Sequence, residues 1–363
     1  MKEGKLVFME GGLMHAVSAS VHLVNDYQVT ILCLNQQKAK GENKIDYQGV
    51  KIVSLGRSQW LKNAQFGSWS FFGQAWQYIK KEKPDVLIGN NLFAAFLVRF
   101  FPIKAKKIGI IHHLYSGLFG IKKQNLSTRL IKLWEGFALP FLLKLDAIGT
   151  VNPLVVEILE KKGFSKSKTV VVANGVDLSF YNFQEEKNLK EMVYLGRIAE
   201  LKGVEDLIEV AAELRKSFPD VLLHLVGSGP KEEFIKNKVK RLNLEGSVVF
   251  HGYLGEIEKI KVLNRAAFYV SASQLEGFGI PLVEAMAKGC VPIVSDIYAH
   301  RFIFQDRPVG FLAKDNKGMV EKISYLFNNE KARKDMAREG RQLVEKMWTW
   351  EQVGKNYKKL LNI

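Results

Sequence analysis

The sequence predicts an α/β protein of two domains, each organised on a parallel sheet. Three observations carry that expectation. The chain has 363 residues, more than one hydrophobic core ordinarily serves. Short β-branched runs alternate with helix-like segments almost from end to end, as in sheets covered on both faces. The alternation pauses once, over the polar residues 174–191, which hold Asn174-Gly175 and the charged run 185–190.

In the first half, strands are predicted at 5–9, 29–34, 51–55, 85–89, 107–111, 147–151 and 169–173. After the pause they resume at 192–195, 221–226, 248–250, 268–271 and 291–294. This places one domain at 1–175 and a second at 190–345. In the last stretch, 346–363, Trp350, Val353, Tyr357 and Leu360 recur at spacings of three and four. That is one apolar helix face, expected to pack back on the first domain. In open parallel sheets, ligands sit at the carboxyl ends of strands, so a cleft between the two domains is the expected site.

Composition narrows the class. Hydrophobic residues make up 47% and charged residues 25%, a globular balance. The most apolar stretches, 92–101 and 137–145, are broken by Arg99 or by Pro140 and Lys144, short of the roughly 18 residues that span a bilayer. Residues 5–9 read as a strand rather than a signal peptide. Cys33 and Cys290 stand far apart in apolar runs, expected as buried free thiols. These features point to a cytoplasmic protein. The net charge is +16, and residues 1–172 hold 24 Lys and Arg against 11 Asp and Glu. A basic first half suits an anionic partner, such as a membrane surface, or is simply a solvated face.

Two constellations carry chemistry. Glu276-Gly-Phe-Gly-Ile-Pro-Leu-Val-Glu284 follows the strand 268–271 and opens a helix near Pro281. Gly277 and Gly279 let backbone pass close to a ligand, and a helix N-terminus attracts phosphate or polarised hydroxyls. A carboxylate accepts two hydroxyl protons at once, so Glu276 and Glu284 suit a sugar or ribose. The second constellation, Gly196-Arg197-Ile-Ala-Glu-Leu-Lys202-Gly203, follows the strand 192–195. Its Arg offers phosphate a planar fork, and its Lys a point charge. Each reading has a bland counterpart, a capped loop or an ordinary basic surface.

Together these residues resemble the family 4 retaining glycosyltransferases of the GT-B fold, two Rossmann-like domains facing across a cleft. The match rests on Glu276 and Glu284 flanking Gly-Phe-Gly, and on Gly-Arg and Lys-Gly at 196–203. Val-Gly-Ser-Gly-Pro at 226–230, Asn-Gly-Val-Asp at 174–177, Gly11-Gly12 and His112-His113 add to it. The resemblance implies an acceptor-binding first domain and a nucleotide-sugar-binding second domain. Arg197 and Lys202 would bind the donor diphosphate and stabilise the leaving nucleotide. Glu276, with the backbone of Gly277, Phe278 and Gly279, would hold the transferred sugar, and Glu284 the ribose. Gly12 would admit the diphosphate, and His112 would meet a sugar hydroxyl. The acceptor would be a glycan or a lipid-linked molecule of polysaccharide biosynthesis.

No Asp-x-Asp pair is present, so no metal cofactor is expected. The sequence departs from the family after the strand 291–294, where a Gly-Gly followed by Glu is common. Here Asp296-Ile-Tyr-Ala-His300-Arg301 stands. His300 and Arg301 either replace backbone contacts there or sit on the surface. The segment 18–27 is also shorter than usual.

Trp69, Phe72, Trp76 and Ile79 form a stripe followed by Lys80, Lys81 and Lys83, and 126–145 is rich in Leu, Phe and Trp. Lys104, Lys106, Lys107, Lys122, Lys123, Arg129 and Lys132 lie nearby in sequence. One reading is a peripheral membrane surface; the other is helices covering a sheet. Competing functions are a sugar-nucleotide epimerase of the same fold and a noncatalytic glycan- or partner-binding protein. A nucleic-acid module lacks its motif. Gly11-Gly12-Leu-Met-His does not complete a dinucleotide turn.

Overall fold

A computed structural model describes residues 4–9, 13–34, 43–55, 69–114 and 126–363. The chain divides into two compact units, 1–174 with 350–363, and 175–349.

The first unit is a sheet of β1 (Gly4–Met9), β2 (Tyr27–Leu34), β3 (Asn43–Tyr47), β4 (Val50–Leu55), β5 (Val86–Gly89), β6 (Lys106–Ile111), β7 (Ala147–Thr150) and β8 (Thr169–Val171). The order is β3-β4-β2-β1-β5-β6-β7-β8. All pairings are parallel except β3 with β4. Its helices are α1 (Leu13–Val21), α2 (Trp69–Glu82), α3 (Leu92–Val98), α4 (Leu126–Leu142) and α5 (Pro153–Lys161).

Alternate residues of β1 explain the layering. Leu6 and Phe8 join a core with Ala16 and Ala19 of α1. Val7 and Met9 face the other way, into a core with Phe71, Ala75 and Ile79 of α2. A strand apolar at every position is thus apolar on both faces. Asn91 starts α3 by accepting the Ala94 amide at 2.6 Å. Asn152, followed by Pro153 in the first turn, does the same for α5 at 3.2 Å; both are N-cap chemistry.

The second unit holds β9 (Asn188–Leu195), β10 (Leu222–Val226), β11 (Val248–Gly252), β12 (Ala266–Ser271), β13 (Val291–Ser295) and β14 (Phe311–Ala313), in the order β11-β10-β9-β12-β13-β14. Its pairings are parallel. The helices are α6 (Val204–Ser217), α7 (Glu232–Arg241), α8 (Glu256–Arg265), α9 (Ile280–Ala287), α10 (Tyr298–Phe304), α11 (Asn316–Phe327) and α12 (Glu330–Met347). The last helix, α13 (Trp350–Leu361), belongs to the first unit. Its Val353, Tyr357 and Leu360 are fully buried in the core beside α1.

Some expectations change. Residues 175–189 belong to the second unit, and β9 starts inside the charged run, at Asn188. Residues 346 and 347 end α12 instead of joining the last helix. Strands β3 and β14 were not anticipated. On α2, Phe71, Ala75, Tyr78 and Ile79 are buried, and Trp76 stacks on Phe101 at 5.4 Å. That face covers the sheet, with Phe72 and Trp76 only partly exposed. Both cysteines are buried thiols, with no disulfide between them. Among the described residues, no helix is long and apolar enough to cross a membrane.

Candidate active site

Among the parallel strands the order reverses between β1 and β5 in the first unit and between β9 and β12 in the second. Such switch points open a crevice beyond the carboxyl ends of the strands. In the second unit, the loops after β9 and β12 bring candidate residues together there.

In the second unit, the loop after β9 runs from Gly196 to Gly203 and ends in a short helical turn, Glu200–Lys202. The loop after β12 carries Ser273 to Gly279 and leads into α9. Lys202 Nζ meets Glu276 Oε1 at 2.7 Å, with both side chains partly buried. Ser273 Oγ donates to the same carboxylate oxygen at 2.8 Å. The backbones are joined as well, because the Gln274 amide donates to the Leu201 carbonyl at 2.9 Å. Gly203 has φ +61°, and a Cβ there would lie 2.1 Å from the Ala272 carbonyl oxygen. Only glycine permits that approach in that conformation.

A third loop interlocks with the first. The Gly196 amide donates to the Val226 carbonyl at 2.9 Å, and the Ile198 amide to the Ser228 carbonyl at 3.0 Å. A Cβ on Gly227, at φ +129°, would fall 1.9 Å from the Gly196 oxygen. Tyr194 donates its hydroxyl to the Arg197 carbonyl at 3.0 Å. Arg197 thus has its backbone held while its side chain is exposed.

Phe278 is buried and packs edge-on to Trp348 at 5.5 Å. Gly279, at φ +111°, precedes α9, and no side chain caps that helix. The end of α9 directs partial positive charge outward. Glu284 lies on α9, largely buried, and meets Lys259 of α8 at 2.9 Å. Lys259 also pairs with Glu256 at 3.0 Å, and Glu256 accepts the Tyr181 hydroxyl proton. Burial pulls the Lys259 ammonium down, but the two carboxylates outweigh it and raise its pKa. Burial and the Glu284 charge push the Tyr181 phenol up. Glu284 thus shares its cation with Glu256.

The stretch after β13 takes neither of its two readings as a whole. His300 is buried, with Nδ1 2.7 Å from the Ser295 carbonyl. Arg301 is exposed and clamps Asp296 through Nε and Nη2 at 2.5 and 2.7 Å.

In the first unit, His112 follows β6 and is half-buried, with Nε2 3.1 Å from the Asn90 carbonyl oxygen. A carbonyl only accepts, so Nε2 carries the proton and Nδ1 of the neutral ring is an acceptor. Burial, with the charges of His15 and His113, lowers its pKa to about 3. The His15 ring stands 4.8 Å away, edge-on. Its Nδ1 lies 2.5 Å from Asn174 Oδ1 and its Nε2 2.8 Å from the Tyr357 hydroxyl. Burial brings His15 down to about 4, against the Asn174 hydrogen bond. Both rings are neutral near pH 7. Gly11, Gly12, Lys122 and Lys123 lie outside the described residues.

The structure therefore brings Lys202, Glu276 and the Gly277–Gly279 segment together, with Glu284 further along α9. Sequence reasoning missed Ser273, Tyr181, Lys259, Asn90 and His15. His15 had a signal, three residues after Gly12 at a helix start. Lys259 had none, because the charges of α8 read as an ordinary solvated face.

A family model described as Glycosyltransferase Family 4 matches residues 10–180, and another, Glycosyl transferases group 1, matches residues 178–343. The chain belongs to the family 4 glycosyltransferases of the GT-B fold. It is 26% identical to a glycogen synthase of Mycobacterium tuberculosis over 202 residues, covering 54% of this chain and 49% of that protein. It thus spans about half the length of that curated relative. Among solved structures, the fold is similar to a sucrose-phosphate synthase from Thermosynechococcus elongatus, with TM-score 0.80 and 17% identity over 99% of this chain and 98% of that one. It is also similar to Anabaena HepE in complex with UDP-glucose, with TM-score 0.77 and 15% identity over 99% of each chain.

Proposed function

We propose that the protein is a retaining glycosyltransferase that moves a sugar from a nucleotide-diphosphate sugar to a glycan or lipid-linked acceptor. The observation that carries this reading is the Lys202–Glu276 pair, 2.7 Å apart at the switch point of the second unit. A cation and a hydroxyl-binding carboxylate side by side match a ligand with a phosphate next to a sugar. Departure of the diphosphate leaves an oxocarbenium-like sugar and puts negative charge on the leaving oxygens. Arg197 and Lys202 stabilise that charge as it grows. Arg197, free of any ion pair among the described residues, supplies the planar fork. Glu276 exchanges part of its bond with Lys202 for hydroxyls of the sugar, and Glu284 takes the ribose hydroxyls. His112, neutral, accepts a hydroxyl proton of the transferred sugar at Nδ1. The site uses these cations in place of a divalent ion, so activity persists in excess chelator.

The experiment is donor consumption and transfer over a panel of nucleotide sugars, for the intact protein and for Glu276→Ala and Lys202→Ala. Consumption of one donor that both substitutions abolish supports the reading. Interconversion of the free donor with no transfer replaces it with epimerisation. The anomeric configuration of the product, read by NMR, tests retention.

A further inference from the structure

Helix α4 has two apolar faces. Leu139 and Leu142 are buried in a core shared with α5 and Ile148 of β7, and Ala138 beside them is buried as well. On the opposite side Leu130, Leu133 and Phe137 are 57%, 71% and 56% exposed, and Pro140 is exposed in line with them. Their spacings of three, four and three put all four on one face. The patch continues sideways: Phe96 contacts Phe100, Trp134 and Phe141 with ring centroids 5.0, 5.1 and 5.3 Å apart, and Phe100 is itself 53% exposed. A helix apolar all round is ordinarily buried, and contiguous exposed apolar surface marks an interaction site.

Cations predominate around this patch, although the exposed Asp146 follows two residues after Lys144. Within residues 126–145 the cations are Arg129, Lys132 and Lys144, and the single acid, Glu135, is buried. Lys104, in the loop after Phe100, is exposed. A second copy of the chain would bring these same cations face to face, which opposes self-association. A lipid surface presents the reverse: anionic headgroups for the cations and an acyl boundary for Leu133, Phe137 and Phe100. Trp134 and the phenylalanines suit the depth between the two.

We propose that the exposed face of α4, with Phe100, is a docking surface for an anionic phospholipid bilayer. The helix lies along the surface, with its Leu and Phe side chains in the acyl boundary and Arg129, Lys132 and Lys144 on headgroup phosphates. This assignment is independent of the donor chemistry, since none of these residues belongs to the candidate active site.

The test is co-sedimentation of the full chain with phosphatidylcholine vesicles, with and without about one third phosphatidylglycerol, at low and high salt. The intact protein is expected to pellet with the anionic vesicles and to be released by salt. Leu133→Ser with Phe137→Ser should weaken binding roughly tenfold or more while donor consumption stays at its original rate. Lys132→Glu with Lys144→Glu should erase the preference for anionic lipid. The apolar double variant sits on solvent-exposed positions, and an unchanged circular-dichroism melt shows that it folds. If it does not, lipid brominated in the acyl chains replaces it, quenching tryptophan emission of the intact protein but less that of Trp134→Phe. An intact protein that stays in the supernatant, or double variants that bind as it does, overturns the proposal. So does a dimer in sedimentation velocity that the apolar double variant abolishes.

Discussion

Replacing Lys202 by alanine separates a structural from a chemical role for the pair. The Lys202–Glu276 contact is 2.7 Å long, but the side chains keep 29% and 19% of their exposure. A pair that water still reaches contributes at most about 1 kcal/mol to stability. The turn itself is held by backbone, through the Gln274 amide on Leu201 and the close approach of Gly203 to Ala272. Lys202→Ala should therefore shift the melting temperature by no more than about 2–4 °C. The effect on reaction is expected to be larger. Losing one preorganised donor to developing charge costs about 2.7–4 kcal/mol, or roughly 10²–10³ in kcat. The assay is initial-rate donor consumption at saturating acceptor, beside a thermal melt of the same preparation. A rate within tenfold of the intact protein would refute the assignment of Lys202 to the leaving diphosphate. A collapsed melt with a proportionate rate loss would show instead that the pair is structural.

Gly203→Ala inverts that outcome: with φ +61° and a Cβ 2.1 Å from the Ala272 oxygen, it should lose more than about 1 kcal/mol of stability, read as a lower urea midpoint, along with activity. Glu284→Gln keeps one acceptor for ribose, a part bound equally in ground and transition states, so steady-state kinetics should show a donor KM raised roughly tenfold with kcat little changed; the opposite split would move Glu284 to the reacting centre. For His15, the folded pKa of about 4 lies below its ordinary 6.5, so the unfolded chain binds the extra proton. Its stabilisation is complete above pH 6.5 and is lost as pH falls toward 4, by about 3 kcal/mol in all. His112, lowered to about 3, acts in the same direction. The urea midpoint of the intact protein should drop between pH 7 and 5, and His15→Asn should flatten that drop; parallel curves would refute the burial argument.

Most of the parallel sheets was legible because their strands are buried on both faces and so read as unbroken apolar runs. Leu6, Val7, Phe8 and Met9 are all core. The two missed strands lack that signature. In β3, Ile45 and Tyr47 are exposed, and the strand pairs antiparallel at the sheet edge. In β14 there are three residues, at the opposite kind of edge. The start of β9 was hidden because Asn188 and Lys190 read as loop, although Asn188 serves Glu191 with a side-chain hydrogen bond at 2.8 Å. In the site, the residues with a motif were legible and their supports were not. Glu276 and Glu284 announce themselves by spacing, but their neighbours Ser273 and Lys259 gain meaning only when strands and helices meet. The same limit explains the aromatic stripes: α2 and α4 both carry one in the sequence, and only packing decides that the stripe of α2 covers a sheet while one face of α4 meets water.

The interlocked glycines show how the second unit separates rigidity from chemistry. Gly203 and Gly227 are points where backbone meets backbone, since a Cβ on either would lie about 2 Å from a carbonyl oxygen of a neighbouring loop, while one on Gly196 would lie 2.8 Å from the Tyr194 hydroxyl. Loops fixed by carbonyl and amide contacts do not need their side chains for position. Arg197 illustrates the result, with its carbonyl bound by Tyr194 and its guanidinium exposed. A guanidinium held at its root and open at its tip reaches an anion with little rearrangement of backbone. That is the arrangement preorganised electrostatics requires. It also fits the motif, in which Gly196 and Gly203 bracket Arg197 and Lys202: the glycines let the three backbones close together, and the cations between them point toward a ligand.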